Sequence, residues 1–323
     1  MNHQPDGEIY LALARHAIDR DYLSRTRPDL FDELWADPAT RVIAMHSGQV
    51  LLADAGTASL KLHAVDAVPS AQLRVYLGRT TEASDSEPVG TPVVLAVLSD
   101  NSAAQLEPDA SAWHTLRKSG LGLSDRDSGI FTQALAIANW HQSHVHCPRC
   151  GMPTVVEQGG WVRRCFSDNS ELYPRTDPAI IVAITDDQDR ILLGSQGVWE
   201  DNRWSILAGF VEPGESLSAA VIREMFEEAG VVVEEPHYLG SQAWPFPYSL
   251  MLGFTAKLSA DSPPHVADGV EIEKLRWFSR EEIAAEALEL MLPSRLSISR
   301  SMIERWFGGP IVSATELAEG KSQ

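Results

Sequence analysis

The sequence predicts an α/β protein. Its C-terminal half reads as an α/β/α sandwich built on a mixed sheet, preceded by a small cysteine-bearing ribbon and an α+β N-terminal domain. Three observations lead there. Short apolar and β-branched runs, separated by turn residues, recur through residues 40–99. Three cysteines gather between Cys147 and Cys165 at tight-turn spacing. From residue 173 onward, strand-like runs alternate with helical patterns, as in a sheet covered by helices. The 323 residues also call for two or more domains at roughly 150 residues each. The expected division is 1–140, 141–172, 173–310 and a tail at 311–323.

Taken in order, strands are expected at 41–45, 50–53, 60–65, 73–77 and 93–98, with an exposed loop at 80–92. Residues 129–144 have helical periodicity and lead into the cysteines. Nothing before residue 140 carries visible chemistry, so packing or dimerisation is the expected role of that domain. Beyond residue 173, 180–185 is a continuous apolar strand, 186–189 a turn and 191–194 the return strand, and 204–207 feeds a glycine-rich loop. A helix follows, then strands at 238–243, 250–258 and 275–278 and helices at 280–290 and 294–307, with 308–323 as a frayed tail.

Composition excludes several classes. No run approaches 18 apolar residues, so no membrane span is expected. The N-terminus lacks a basic start followed by an apolar core, so no secretory signal is expected, and the C-terminal EGKSQ is no known address. Three cysteines cannot build a disulfide scaffold, which points to a reducing cytoplasm. The net charge of −19 disfavours nonspecific binding to nucleic acid or an anionic membrane. It does not disfavour a nucleotide substrate, because bound cations reverse the local field.

The chemistry concentrates in GFVEPGESLSAAVIREMFEEAGV, from Gly209 to Val231. Ser216 or Ser218 can cap a helix here, and Gly230 ends it. On that helix Glu224, Glu227 and Glu228 stand at i, i+3 and i+4, one shared face on which like charges repel. A hard divalent cation, Mg2+ or Mn2+, relieves that repulsion and bridges carboxylates to phosphates. Arg223 precedes the cluster and can pin one carboxylate bidentately, while Gly209, Pro213 and Gly214 shape a loop that turns Glu215 back toward it.

A second motif is Cys147-Pro-Arg-Cys150-Gly, with Cys165 and Asp168 at the same two-residue gap further on. This is the layout of a structural zinc ribbon with a carboxylate in place of the fourth thiolate. His144 or His146 is the alternative fourth ligand. A third motif, Ser241-Gln-Ala-Trp-Pro-Phe-Pro-Tyr-Ser249, sets two prolines around Phe246 and presents aromatic faces suited to a planar base.

The glutamate-rich stretch resembles the signature box of the Nudix hydrolases at every position. With the ribbon and the aromatic turn, the chain resembles the NADH pyrophosphatase family of those enzymes over about 147–279. Ala243 stands where that family has proline, and Asp168 where many members have a fourth zinc cysteine. The resemblance implies metal-dependent hydrolysis of NAD(H) to NMN(H) and AMP, removal of NAD caps from RNA 5′ ends, and a homodimer. It implies that Glu224, Glu227 and Glu228 bind Mg2+ or Mn2+, with Glu215 and Arg223 in support and Glu271 as a further acidic position. Tyr173 and Phe210 would flank a base, and Trp244, Phe246 and Ser249 would contact substrate. Two rival readings remain at this stage: hydrolysis of ADP-ribose or another nucleoside diphosphate derivative, and a non-catalytic zinc-ribbon regulatory protein. No Lys/Arg stripe for tracking RNA is visible, so only a short 5′ end is expected to enter the site.

Overall fold

The computed structural model describes residues 9–53 and 59–320. The first residues of the stretch read for a signal, and the last three of the expected tail, lie outside the described residues. The chain forms two compact units: 9–12, 177–243 and 249–320 in one, and 13–53, 59–176 and 244–248 in the other. Among the described residues, no helix is long and apolar enough to cross a membrane.

The N-terminal unit holds a sheet of short strands: β1 (Ile18–Asp19), β2 (Arg41–His46), β3 (Gln49–Leu51), β4 (Leu62–Ala64), β5 (Ala71–Thr80), β6 (Pro92–Leu98) and β7 (Trp113–Thr115). Their order is β1-β5-β6-β2-β3-β7, with β4 paired to β2. Helices α1 (Leu30–Ala36), α2 (Asp100–Leu106) and α3 (Leu116–Ser119) are short, while α4 (Asp125–Ser143) is the long helix of this unit. Residues Ile130, Phe131, Ala134, Leu135, Ile137 and Trp140 bury its apolar side. The 80–92 loop, read as exposed, contains one buried acid: Glu87 pairs with the buried Arg126 at 3.2 Å. Buried charges persist only when paired, which no local pattern announces. The ribbon follows as a small sheet, β8 (Val155–Glu157), β9 (Val162–Arg164) and β10 (Glu171–Leu172), ordered β10-β9-β8.

The second unit contains β11 (Asp177–Thr185), β12 (Ile191–Ser195), β13 (Leu207–Phe210), β14 (Val233–Trp244), β15 (Ser249–Leu258) and β16 (Lys274–Phe278). The order is β14-β15-β11-β12-β16, with β13 on β11. β11 runs parallel to β15 and antiparallel to β12 and β13, giving the expected mixed sheet. Its side chains alternate between two cores. Ile180, Val182 and Ile184 face one with Ala220, Val221, Met225 and Ala229 of α5 (Leu217–Ala229). Ile181 and Ala183 face the other with Ile283 of α6 (Arg280–Glu286) and Ile298, Met302 and Ile303 of α7 (Ile298–Phe307). Burial on both faces is why β11 reads as an unbroken apolar run.

Three expectations need correction. α6 ends at Glu286, not 290, and the buried Leu290 returns its amide to Glu286 through a turn. α7 starts at Ile298, not 294, because the Ser297 hydroxyl caps it by accepting from the Ser299 amide. The stretch from 311, read as a tail, holds α8 (Ala314–Gly320). Arg300, fully buried, anchors it by donating to Glu316 at 2.6 Å and to Ser313 Oγ at 3.3 Å. A buried guanidinium must have such partners, and the chain supplies them by folding back.

Candidate active site

β13 pairs with β11 so that Gly209 lies opposite Ile180 and Phe210 opposite Ala179. The glycine leaves room. A Cβ there would fall 2.1 Å from the carboxyl carbon of Glu224. The loop that follows turns at Gly214, whose φ of +97° suits glycine alone. Glu215 bends back to accept from the Glu212 amide at 2.7 Å. Ser216, rather than Ser218, then caps α5, accepting from the Ala219 amide at 3.2 Å. Gly230, at φ 66°, closes the far end with its N–H on the Met225 and Phe226 carbonyls.

Arg223 organises the acidic face. Its Nε and Nη2 form a bidentate pair with Glu215, at 3.1 and 2.6 Å. Nη1 donates to Glu224 at 2.8 Å and Glu227 at 2.9 Å, and Nη2 donates to the Phe210 carbonyl at 3.0 Å. These contacts use every donor a guanidinium has. Hydrogen bonds from Arg223 hold Glu215 below the usual carboxylate range, and Glu215 foremost raises Arg223 in turn.

Glu228 behaves differently. It is buried, and its Oε2 has no hydrogen-bond partner. Burial, followed by the charges of Glu224, Glu271 and Asp268, pushes its carboxyl up to about 8. Burial also raises Glu224, against the pull of Arg223. Glu271 is brought to this group and hydrogen-bonds Glu228. The loop that delivers Glu271 hangs on α5: the amides of Val266 and Asp268 donate to the carbonyls of Ala229 and Glu228 at 2.8 and 3.2 Å. Asp268 shapes that loop by accepting from the amides of Val270, Glu271 and Ile272. Sequence reading passed over Asp268, although Asp-Gly at 268–269 is a recognisable turn signal. A hard cation fits this acidic face, because a buried carboxylate oxygen without a partner is costly unless a proton or a metal satisfies it.

The remaining expected contacts fall in two places. Phe210 is exposed at the end of β13, and Ser249 opens β15 opposite Asp177. Tyr173 belongs to the N-terminal unit, where it is exposed and its hydroxyl donates to Glu171. Trp244 and Phe246 also cluster with that unit, meeting edge to face with centroids 4.9 Å apart.

In the ribbon, the ligand atoms of Cys147, Cys150, Cys165 and Asp168 all lie within 4.8 Å of one another. Cys150 and Cys165 are 3.4 Å apart at sulfur, and Cys147 sits 3.4 Å from Asp168 Oδ2. A tetrahedral zinc with Zn–S bonds of about 2.3 Å has sulfur–sulfur edges near ~3.8 Å, so the donor set suits that ion. Asp168 is held by the Ser170 hydroxyl and amide, which with the two cysteines keep it well below the usual carboxylate range. Neither His144 nor His146 joins this group among the described residues. His144 turns Nδ1 instead toward the Trp140 carbonyl, at 3.2 Å.

Three family descriptions match the chain in succession. Residues 39–140 match the NADH pyrophosphatase-like rudimentary NUDIX domain, 142–173 the NADH pyrophosphatase zinc ribbon domain, and 175–299 the NUDIX domain. A curated relative, the NAD-capped RNA hydrolase NudC of Mycobacterium tuberculosis, is 37% identical over 273 residues, covering 78% of this chain and 86% of its own. The chain belongs to the NADH pyrophosphatase family of Nudix hydrolases. The human NAD-capped RNA hydrolase NUDT12 is 36% identical over 200 residues, covering 58% of this chain and 43% of its own. The rudimentary NUDIX match falls on residues 39–140, within the region expected only as an α+β domain for packing or dimerisation.

Proposed function

We propose that this Nudix hydrolase cleaves the pyrophosphate of NAD(H), taking up one water to give NMN(H) and AMP, and that it removes NAD caps from RNA 5′ ends. The observation that carries this is Glu228: a buried carboxyl with one unpartnered oxygen, set among the acids Glu224 and Glu271 where a cation would satisfy it. Support for the substrate comes from the three consecutive family matches and from the name of the mycobacterial relative.

Glu224, Glu227, Glu228 and Glu271 would hold Mg2+ or Mn2+, which when bound neutralises the diphosphate and acidifies water. The chain's own groups do the rest. Water attacks a phosphorus, the bond to the bridging oxygen breaks, and Glu228, in the ionised form that a bound cation would favour, receives the water's proton. Arg223 keeps Glu215, Glu224 and Glu227 apart and oriented without itself facing substrate. Tyr173 and Phe210 flank a base, Trp244 and Phe246 offer stacking faces, and Ser249 contacts the dinucleotide. Cys147, Cys150, Cys165 and Asp168 hold a structural zinc. The assembly is a homodimer, and the unpaired cysteines suit the cytoplasm.

The test is product analysis with Mn2+ on NADH, NAD+ and ADP-ribose. AMP and NMNH from NADH, released faster than AMP from ADP-ribose, is the expected result. Faster cleavage of ADP-ribose would replace the substrate assignment, and no cleavage of any dinucleotide would leave only a ribbon-bearing binding protein. On NAD-capped RNA, single-turnover decapping should depend weakly on salt, because a chain of net charge −19 gains little from counterion release.

A further inference from the structure

The aromatic turn joins β14 to β15, yet its residues 244–248 cluster with the N-terminal unit. The contacts responsible are specific. Asn139, on α4, donates from Nδ2 to the carbonyl of Pro245 at 3.0 Å and to that of Pro247 at 2.8 Å. A carboxamide nitrogen has two N–H donors, and both are engaged here. The two carbonyls bracket Phe246, and the prolines that own them have no N–H with which to tie the turn together. Within the turn the Phe246 amide donates to the Trp244 carbonyl at 2.7 Å, and Asn139 adds a clamp on the two proline carbonyls.

Arg117, on α3, supplies a second restraint. Its guanidinium carbon lies 3.8 Å from the centre of the Phe246 ring and 5.0 Å from that of Trp244. Among the described residues, Arg117 forms no ion pair. The guanidinium thus restrains both rings of the turn, which also meet each other edge to face. Burial lowers Arg117 from its ordinary value, in keeping with a guanidinium pressed onto aromatic carbon.

We infer that Asn139 and Arg117 are positioning residues for dinucleotide recognition. They fix the spacing and tilt of Trp244 and Phe246, all within one compact unit. This rests on the reading of the turn as part of the dinucleotide site. The contacts explain why α4 carries a polar asparagine one residue before the buried Trp140.

The experiment compares Asn139→Asp, Asn139→Ala, Arg117→Ala and Arg117→Lys in the full chain, with Trp244→Ala as reference. NADH kinetics are measured with Mn2+, alongside zinc content and thermal midpoint. Asn139→Asp sets a carboxylate against two carbonyl oxygens and should raise KM for NADH at least about tenfold, with kcat within about threefold. Arg117→Ala should raise KM about fivefold, and Arg117→Lys, which keeps a cation on the ring, should recover most of it. Zinc content should be unchanged throughout.

Unchanged KM in Asn139→Ala and Arg117→Ala, with Trp244→Ala impaired, would overturn the inference while sparing the turn as a substrate site. Unchanged KM in Trp244→Ala would overturn the reading of the turn itself. Equal loss of kcat and thermal midpoint in all four variants, without rescue by lysine, would reduce both residues to structural support and also overturn the inference.

Discussion

At Cys147, Cys150, Cys165 and Asp168 the ligand atoms converge within 4.8 Å of one another. At the acidic face, by contrast, Glu215 of the loop and Glu224 and Glu227 of α5 are drawn onto Arg223, and Glu228 stands buried beside them with an unsatisfied oxygen. In the ribbon the four ligand atoms face one another, with Asp168 held by the Ser170 amide and hydroxyl. The acidic face is kept open: an internal cation holds three of its charges, and the fourth is left under strain for a ligand to relieve. Pairing of these charges on Arg223 lets the helix fold with its acids on one side.

The sharpest way to break this contrast is Glu228→Gln. Turnover of NADH should fall at least ~100-fold with the thermal midpoint preserved or raised, since the amide removes the costly buried carboxyl. Activity within about tenfold of the parent, roughly 1.4 kcal/mol of barrier, would remove Glu228 from the proton-transfer role. The matching change in the ribbon is Asp168→Ala, which should cut zinc affinity on the order of 10–100-fold and lower the midpoint of the N-terminal unit. His144→Ala and His146→Ala should leave zinc content intact, and loss of zinc in either would move the fourth ligand away from Asp168.

A smaller effect is expected from Gly209→Ala. The added methyl meets only the end of a flexible side chain, so the fold survives, but the Glu224 carboxyl must shift. Activity should drop about tenfold and recover in part at higher Mn2+. An unchanged metal dependence would show that the glycine serves the loop rather than Glu224.

The mildest test is of stability in acid, and it sets the ribbon's surroundings against the active site. His141 is buried, with Nε2–H donating to the Gly160 carbonyl at 2.8 Å and Nδ1 accepting from Arg163 at 2.9 Å. Burial lowers its pKa to about 4, and His63 is lowered to about 4 for the same reason. The unfolded chain therefore binds more protons than the folded one between about pH 6.5 and 4. The contribution of these two rings to stability is complete above that window and falls as pH drops through it, by at most about 1.4 kcal/mol per pH unit for each ring. His141→Gln keeps both hydrogen bonds and should flatten the slope of denaturation midpoint against pH. An unaltered slope would mean that His141 does not titrate with unfolding.

Local rules made much of this molecule legible. A helix start at Ser216 or Ser218, its end at Gly230 and the shared face of Glu224, Glu227 and Glu228 follow from spacing, and so does the ribbon around Cys147 and Cys165. Residues whose role depends on a distant partner were not legible. Asn139 reads as an ordinary polar position of α4, and Arg117 as an exposed cation, because the carbonyls and rings they meet lie more than 100 residues away. Arg300 gives no hint that it will hold α8, and the segment after residue 310, short and polar, reads as a tail.

The sequence by itself determined the family and the spacing of its acidic and cysteine motifs, because such motifs are short-range patterns enforced by helix and turn geometry. Only the tertiary structure decided which charges are paired and which are left in need: Arg223 saturated by Glu215, Glu224 and Glu227, Glu228 raised by burial, Glu271 carried in on the Asp268 loop, and the aromatic turn held by Asn139. Burial and desolvation are properties of the assembled chain, and they set the energy of a charge far more strongly than its neighbours in sequence do.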